Sequence, residues 1–220
     1  MTQPYLRAMF TSAVLLVAAL SASGAAITIN GTGQNVSGGL DQSYQIISDT
    51  TGEIVAPAQA FIITAPGNWG PAIMGTSWIG PSADQSNNDR TTSCCTGVDN
   101  YQLTFSLAGL NPATASLNIS YLVDNAIQVV LNGNTVYSNG GPSSTLFSSP
   151  ITFAVNSGFV SGTNTLNFVV TNGTGPTVLD VGISGSASPI SSTAPEPAAM
   201  SLFAIGLLTI GAVKRLRASK

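Results

Sequence analysis

Apolar residues recur at every second position in five stretches of this chain, and that period limits what it can fold into. Leu103, Phe105 and Leu107 alternate with Thr104 and Ser106, and Leu117, Ile119, Tyr121 and Val123 alternate with Asn118, Ser120 and Leu122. Val129 with Leu131, Leu166 with Phe168 and Val170, and Leu179 with Val181 and Ile183 continue the pattern. Successive side chains of a strand point to opposite faces, so each series predicts one buried face of a β-strand. The enrichment in threonine, valine and isoleucine suits a pleated surface. Asn132-Gly133, set between Val129–Leu131 and Thr135–Tyr137, predicts a two-residue hairpin of type I′. Leu110-Asn111-Pro112, Gly140-Gly141-Pro142, Ser157-Gly158 and the run Asn172 to Pro176 punctuate the remaining strands. With no helical period between them, the strands predict an all-β fold, an antiparallel β-sandwich of jelly-roll type over residues 26–186. Residues 187–193, rich in serine, read as a spacer.

Charge narrows the chemistry. Only 7% of the 220 residues are charged, and there is no histidine; an ordinary soluble domain carries roughly a quarter. Arg90 is the single basic residue between Gly24 and Val213, a stretch that holds all nine acids and so carries a formal charge of −8. Nucleic-acid binding needs several cations to neutralise phosphates, so that class is excluded. The lack of histidine removes Ser-His-Asp and Cys-His catalysis and any imidazole metal ligand.

The two ends differ from the middle. Arg7 precedes an uncharged 13-residue run, Ala8 to Leu20, and small residues follow at Ser21 to Ala26. Residues 1–25 therefore read as a signal peptide with a short apolar helix. At the other end, Ala198 to Val213 is a 16-residue apolar stretch that predicts a transmembrane helix, followed at once by Lys214, Arg215 and Arg217. At 1.5 Å per residue it spans about 24 Å, short of a bilayer core of about 30 Å, and the basic residues would snorkel and stay on the cytoplasmic side. Immediately before it, Pro195 and Pro197 flank Glu196 and hold the backbone extended.

In order and spacing, Pro195-Glu196-Pro197, the short apolar span and the terminal cluster Lys214, Arg215 and Arg217 resemble the PEP-CTERM sorting signal. The family usually has valine before the tripeptide, where this chain has Ala194. The resemblance covers residues 194–220 and implies processing by exosortase, in Gram-negative bacteria that make exopolysaccharide. It implies a chain that is exported, anchored transiently in the inner membrane, cut near the tripeptide, and passed to the cell surface or extracellular matrix. A second resemblance lies in the middle. Trp78-Ile79-Gly80-Pro81, Tyr101 to Leu107, Asp124-Asn125, Val129 to Gly133, Gly162 to Leu166 and Val169 to Asn172 are similar to a module of PEP-CTERM proteins that is galactose-binding-like. That likeness implies a jelly roll of the kind used as carbohydrate-binding or accessory domains, and says little about the ligand.

Candidate sites are sparse. The acids read as residues of solvated loops and turns, unsuited to the opposed carboxylates of glycoside hydrolysis, so no catalytic residue is assigned and the chain is not read as an enzyme. Asp84, Asn87 and Asp89 offer hard oxygen ligands for calcium, without the glycine and distal glutamate of an EF-hand loop; no other cofactor is expected. Cys94 and Cys95 enter an oxidising compartment on export. Their Cα atoms lie about 3.8 Å apart, below the usual disulfide separation, which leaves a strained vicinal disulfide, an intermolecular crosslink or two free thiols. Glycan recognition would use aromatic platforms and amide or carboxylate partners, for which Trp69, within turn residues, and Tyr137 are the aromatic candidates and Asp124, Asn125 and Asn132 the polar ones. Trp78, beside Ile79, reads as core. The expected function is a non-catalytic surface or matrix protein that binds exopolysaccharide or another glycan. The alternative is a passive structural or adhesive protein whose partners are other proteins.

Overall fold

The structure is a computed structural model that describes residues 24–64, 69–83, 96–141, 146–173 and 175–190. The chain divides into two units, Met1–Ser188 and Pro189–Lys220, and the strands found among the described residues lie in the first. The expected signal helix (residues 1–25, nearly all), the transmembrane helix 198–213 and the sorting residues lie outside the described residues. Among the described residues no helix is long and apolar enough to cross a membrane.

Among the described residues twelve strands follow one another: β1 (Ala25–Ala26), β2 (Val36–Ser37), β3 (Leu40–Asp49), β4 (Ala58–Ile62), β5 (Ile79–Gly80) and β6 (Gly97–Ser106), then β7 (Ser116–Asp124), β8 (Ala126–Leu131), β9 (Asn134–Ser138), β10 (Ile151–Val155), β11 (Thr163–Asn172) and β12 (Val178–Ala187). Every ladder is antiparallel, and hydrogen bonds join them in the order β10-β7-β12-β5-β4-β3-β6-β11-β8-β9, with β1 on β12 and β2 on β3. The path curls over so that its two ends meet: Tyr137 of β9 stacks on Phe153 of β10 with ring centroids 4.0 Å apart. The Tyr137 and Tyr121 hydroxyls are also hydrogen-bonded at 2.9 Å. This all-β antiparallel arrangement agrees with the period-two reading.

The five alternating series lie on β6, β7, β8, β11 and β12, and their apolar members, Ile183 apart, are buried. They form one core with Tyr44 and Ile46 of β3, each fully buried apolar side chain contributing about 1.5–3 kcal/mol. β3 escaped the sequence pattern because its buried face reads Asp41, Tyr44, Ile46, with a carboxylate and a shifted register against β6 in place of a clean alternation. Leu122 occupies an outward position on β7 where polarity is the rule, and the structure gives the reason. Leu122 packs with Ile63, Trp78 and Val178 in a second apolar cluster that covers the outer face of β7 and β12. Trp78 is 3% exposed, as its apolar neighbour suggests.

The predicted hairpin is present. Leu131 pairs with Asn134, and the two residues between them, Asn132 and Gly133, have φ of 50° and 83°, as a type I′ turn requires. The Asn132 amide also ties the turn to the body: its Nδ2 donates to Gly158 O (2.9 Å) and Asn164 Oδ1 (2.8 Å), and its Oδ1 accepts from Thr165 N (2.9 Å). Asn111, predicted in a turn, caps a short 3-10 helix at Pro112–Thr114, its Oδ1 accepting from Ala113 N at 3.0 Å.

Candidate functional site

Outward positions of β3 and β6 carry short polar side chains, and the segment 26–30 runs beside them. Between these walls lies a surface groove of about 660 Å³, whose polar lining is Thr28, Asn30, Gln42, Ser43, Thr104 and Ser106. Its apolar lining is Leu103 and Phe105, buried on the core side of β6, the half-buried Ile29 and Leu110, and Ala26 and Ala108. The walls are fixed to each other. Asn30 Nδ2 donates to Ser43 Oγ at 3.0 Å, which leaves the Ser43 hydroxyl proton for another acceptor. The buried Tyr44 hydroxyl donates to the Asn30 carbonyl at 3.1 Å and locks that residue's backbone. None of the lining residues is charged. Sequence reasoning misses this groove because its parts are ordinary polar residues of strands not adjacent in sequence; the one available signal is the polar half of each alternation.

The residues singled out from sequence are dispersed over the sandwich. Trp69 is half-buried in the second apolar cluster, its ring 5.3 Å from Trp78 and 5.8 Å from Phe147. Tyr137 is half-buried between Phe153 and Tyr121. Asp124 and Asn125 form the corner between β7 and β8. They are joined by a cis peptide bond, with Asn125 Nδ2 donating to Asp124 Oδ1 and Asn125 Oδ1 accepting from Gly173 N at 2.8 Å. No hydrogen bond or ring contact among the described residues links these three places. Asp84, Asn87, Asp89, Cys94 and Cys95 lie outside the described residues. Among the described residues no group of three or more histidine, cysteine or acidic side chains is placed to hold a metal ion.

The acids require a correction. The sequence places them in solvated loops, yet Asp41, Asp99 and Asp180 are 0% exposed and Asp124 is 6% exposed. Each stands on a strand, with its side chain turned into the protein and out of water. Asp180 is satisfied there: its Oδ1 accepts from Thr32 Oγ1 (2.9 Å) and Thr76 Oγ1 (2.6 Å), and its Oδ2 from Ile73 N (2.7 Å). Asp41 accepts from the backbone N–H groups of Gly33 (2.7 Å), Ser43 (2.8 Å) and Tyr44 (3.3 Å). Thr32 and Gly33 thus serve both carboxylates from one turn. Only glycine fits at position 33, where φ is 71° and a Cβ would come within 2.5 Å of Ser77 Cβ.

Asp99 is different. It pairs across the ladder with Asp49, and neither of its oxygens makes a hydrogen bond of ordinary geometry. Burial, and then the charge of Asp49, push its carboxyl from 3.8 up to about 7. Burial raises Asp49 too, but the Thr51 hydroxyl and the Ile54 and Thr51 N–H groups pull it below its ordinary value. Burial alone lifts Asp124 to about 7. Two acids near 7 in one molecule would suit acid–base chemistry. Asp99 is wholly enclosed, however, so a substrate in solvent does not reach it.

No protein-family model matches the chain, and no curated protein matches it. Solved structures do overlap with it. A family 35 carbohydrate-binding module from Clostridium thermocellum is 12% identical, with 57% of this chain and 86% of that one covered at a TM-score of 0.36. A second, from Paenibacillus barcinonensis, is 15% identical over 64% and 92% at 0.37, and a third, from an environmental isolate, is 12% identical over 70% and 93% at 0.36. Superpositions this loose assign neither a ligand nor a site, and the functional reading rests on the residues of this chain.

Proposed function

We propose that this chain is an exported surface or matrix protein, processed by exosortase, whose β-sandwich binds glycan without catalysis. The observation that carries the glycan reading is the groove between residues 26–30 and the β3–β6 pair. A sugar presents hydroxyl groups that both donate and accept, and the Thr28, Ser43, Thr104 and Ser106 hydroxyls with the Asn30 and Gln42 amides offer the same two capacities side by side. The sorting half of the proposal rests on the Pro195-Glu196-Pro197 motif, the apolar span and the basic end of the chain. Nothing in the groove can act as a general base, since it holds no acid, amine or imidazole.

A glycan array probed with the full chain in detergent tests the binding. Retention of defined glycans, weakened by Gln42→Ala with Thr104→Ala, supports it. Silence across the array from a folded sample favours the alternative, a structural or adhesive protein with protein partners. For the sorting half, the chain is followed by mass in an exosortase-bearing host. Shortening near Pro195-Glu196-Pro197 is expected, and a Glu196→Ala chain should stay full-length and membrane-bound; equal shortening of both would refute exosortase processing.

A further inference from the structure

We infer that the groove between residues 26–30 and the β3–β6 pair selects uncharged glycans, and that it holds them equally in low and high salt and with or without calcium. The inference rests on the glycan-binding reading and adds the class of glycan to it.

The described residues include no lysine or arginine, and six acids. Four of these, Asp41, Asp99, Asp124 and Asp180, are buried. The other two, Asp49 and Glu53, are half-buried and lie at the far end of β3 from the groove. Asp49 accepts four hydrogen bonds from its own turn. Along β6, Asp99, the ladder partner of Asp49, is separated from Thr104 by five residue steps, about 17 Å at strand rise. The groove therefore has neither a charged side chain in its lining nor, among the described residues, a solvent-reaching one near it. A second and smaller groove, about 330 Å³ on the outer face of β7, β10 and β12, is just as neutral, with Ser116, Asn118, Asn156, Ser184 and Ser186 as its polar groups.

A charged polymer fares worse on such terms than a neutral one. A uronate or sulfate that enters a groove needs a cation, a bound metal ion or several donors converging on one group, as Thr32, Ile73 N–H and Thr76 converge on Asp180. The groove has no cationic side chain, its donors are spread over two walls, and the Asn30 amide already donates to Ser43. An amino sugar gains from a carboxylate that it can meet directly, and the Asp41 carboxylate, which accepts from the N–H of the lining residue Ser43 at 2.8 Å, is fully buried and already holds three backbone N–H groups. A neutral sugar loses only hydroxyl–water hydrogen bonds, which the hydroxyls and amides of the lining replace in kind. With no ion pair formed, salt has nothing to screen.

The test uses the full chain in detergent and three polymers: galactomannan (neutral), polygalacturonate (anionic) and chitosan (cationic). Affinity electrophoresis is run at about 0.01 M and about 1 M salt, over which the Debye length falls from about 30 Å to about 3 Å, with EDTA and with added calcium. Retardation by galactomannan alone is expected, changing less than about twofold across salt and calcium, and falling about tenfold, or about 1.4 kcal/mol, in Gln42→Ala/Thr104→Ala. A control outside both grooves, Thr135→Ala on β9, should bind as the parent does, and matching thermal melts show that the variants fold. Salt-sensitive or calcium-dependent retardation by polygalacturonate or chitosan would overturn the inference while leaving glycan binding intact. Retardation by galactomannan that survives the double substitution would also overturn it. If a folded chain is retarded by none of the three, the glycan reading fails and this inference with it.

Discussion

Asp180 and Asp99 are the same residue, each wholly buried on a strand of the same sandwich, and they differ in what surrounds them. Asp180 receives two threonine hydroxyls and a backbone N–H, all brought by the segments that include Thr32 and Ile73 to Thr76. Asp99 faces another carboxylate, and the donors of that turn point at Asp49 instead. Burial raises both acids above the ordinary range, but the donors hold Asp180 back, whereas Asp99 rises to about 7. Asp124, with the neighbouring Asn125 amide as its donor, also rises to about 7. Burial sets the size of the penalty on a carboxylate, and the number of donors decides how much of it remains.

The largest effect of this contrast should appear in the pH dependence of stability. Unfolded aspartates release their protons near pH 3.9, while folded Asp99 and Asp124 hold theirs to about 7. Between these limits the unfolded chain binds fewer protons, so raising the pH favours unfolding, by about 1.4 kcal/mol for each group with every pH step of one. Urea midpoints should therefore be highest near the lower limit, fall up to about pH 7 as several kcal/mol of stability are lost, and level off above it. A midpoint that climbs over the same range would break the comparison. Next in size is Asp180→Ala, which strands three buried donors and should cost about 3–5 kcal/mol at any pH in that window, read from the same urea curves. Asp99→Asn should go the other way above pH 7, gaining about 1–2 kcal/mol by removing an ionisation next to Asp49 and flattening the pH profile. Smallest is Thr76→Val, which takes one donor from Asp180 at a cost of about 1–2 kcal/mol and should make its titration resemble that of Asp99; carbon-detected NMR of the Asp180 carboxyl would follow the change.

Local pattern made a good part of this fold legible. The strands that carry strict alternation, β6, β7, β8, β11 and β12, could be read from their own residues, as could the Asn132-Gly133 turn. β3 could not, since Asp41 replaces an apolar residue on its inner face and is satisfied there by Gly33, eight residues back, and by its own turn. The burial of Asp180 was illegible for a stronger reason: Thr32 and Thr76, which make it tolerable, lie 148 and 104 residues away. The groove was hidden likewise, as it is a property of neighbouring strands and not of any motif. Trp69 stands out in its turn-rich surroundings, but sequence does not show that Trp78 and Phe147 lie against it.

The stack of Tyr137 on Phe153 has a bearing on how such molecules crowd together. Proteins with little surface charge lose much of the mutual repulsion that keeps them dispersed, and an open sheet edge in that situation is a template for fibre growth. Here the terminal strands of the hydrogen-bonded path, β9 and β10, are tied to each other by side chains, through that stack, and no ladder joins them among the described residues. Loosening the stack would free the β9 strand to move and leave its edge open to a neighbouring molecule.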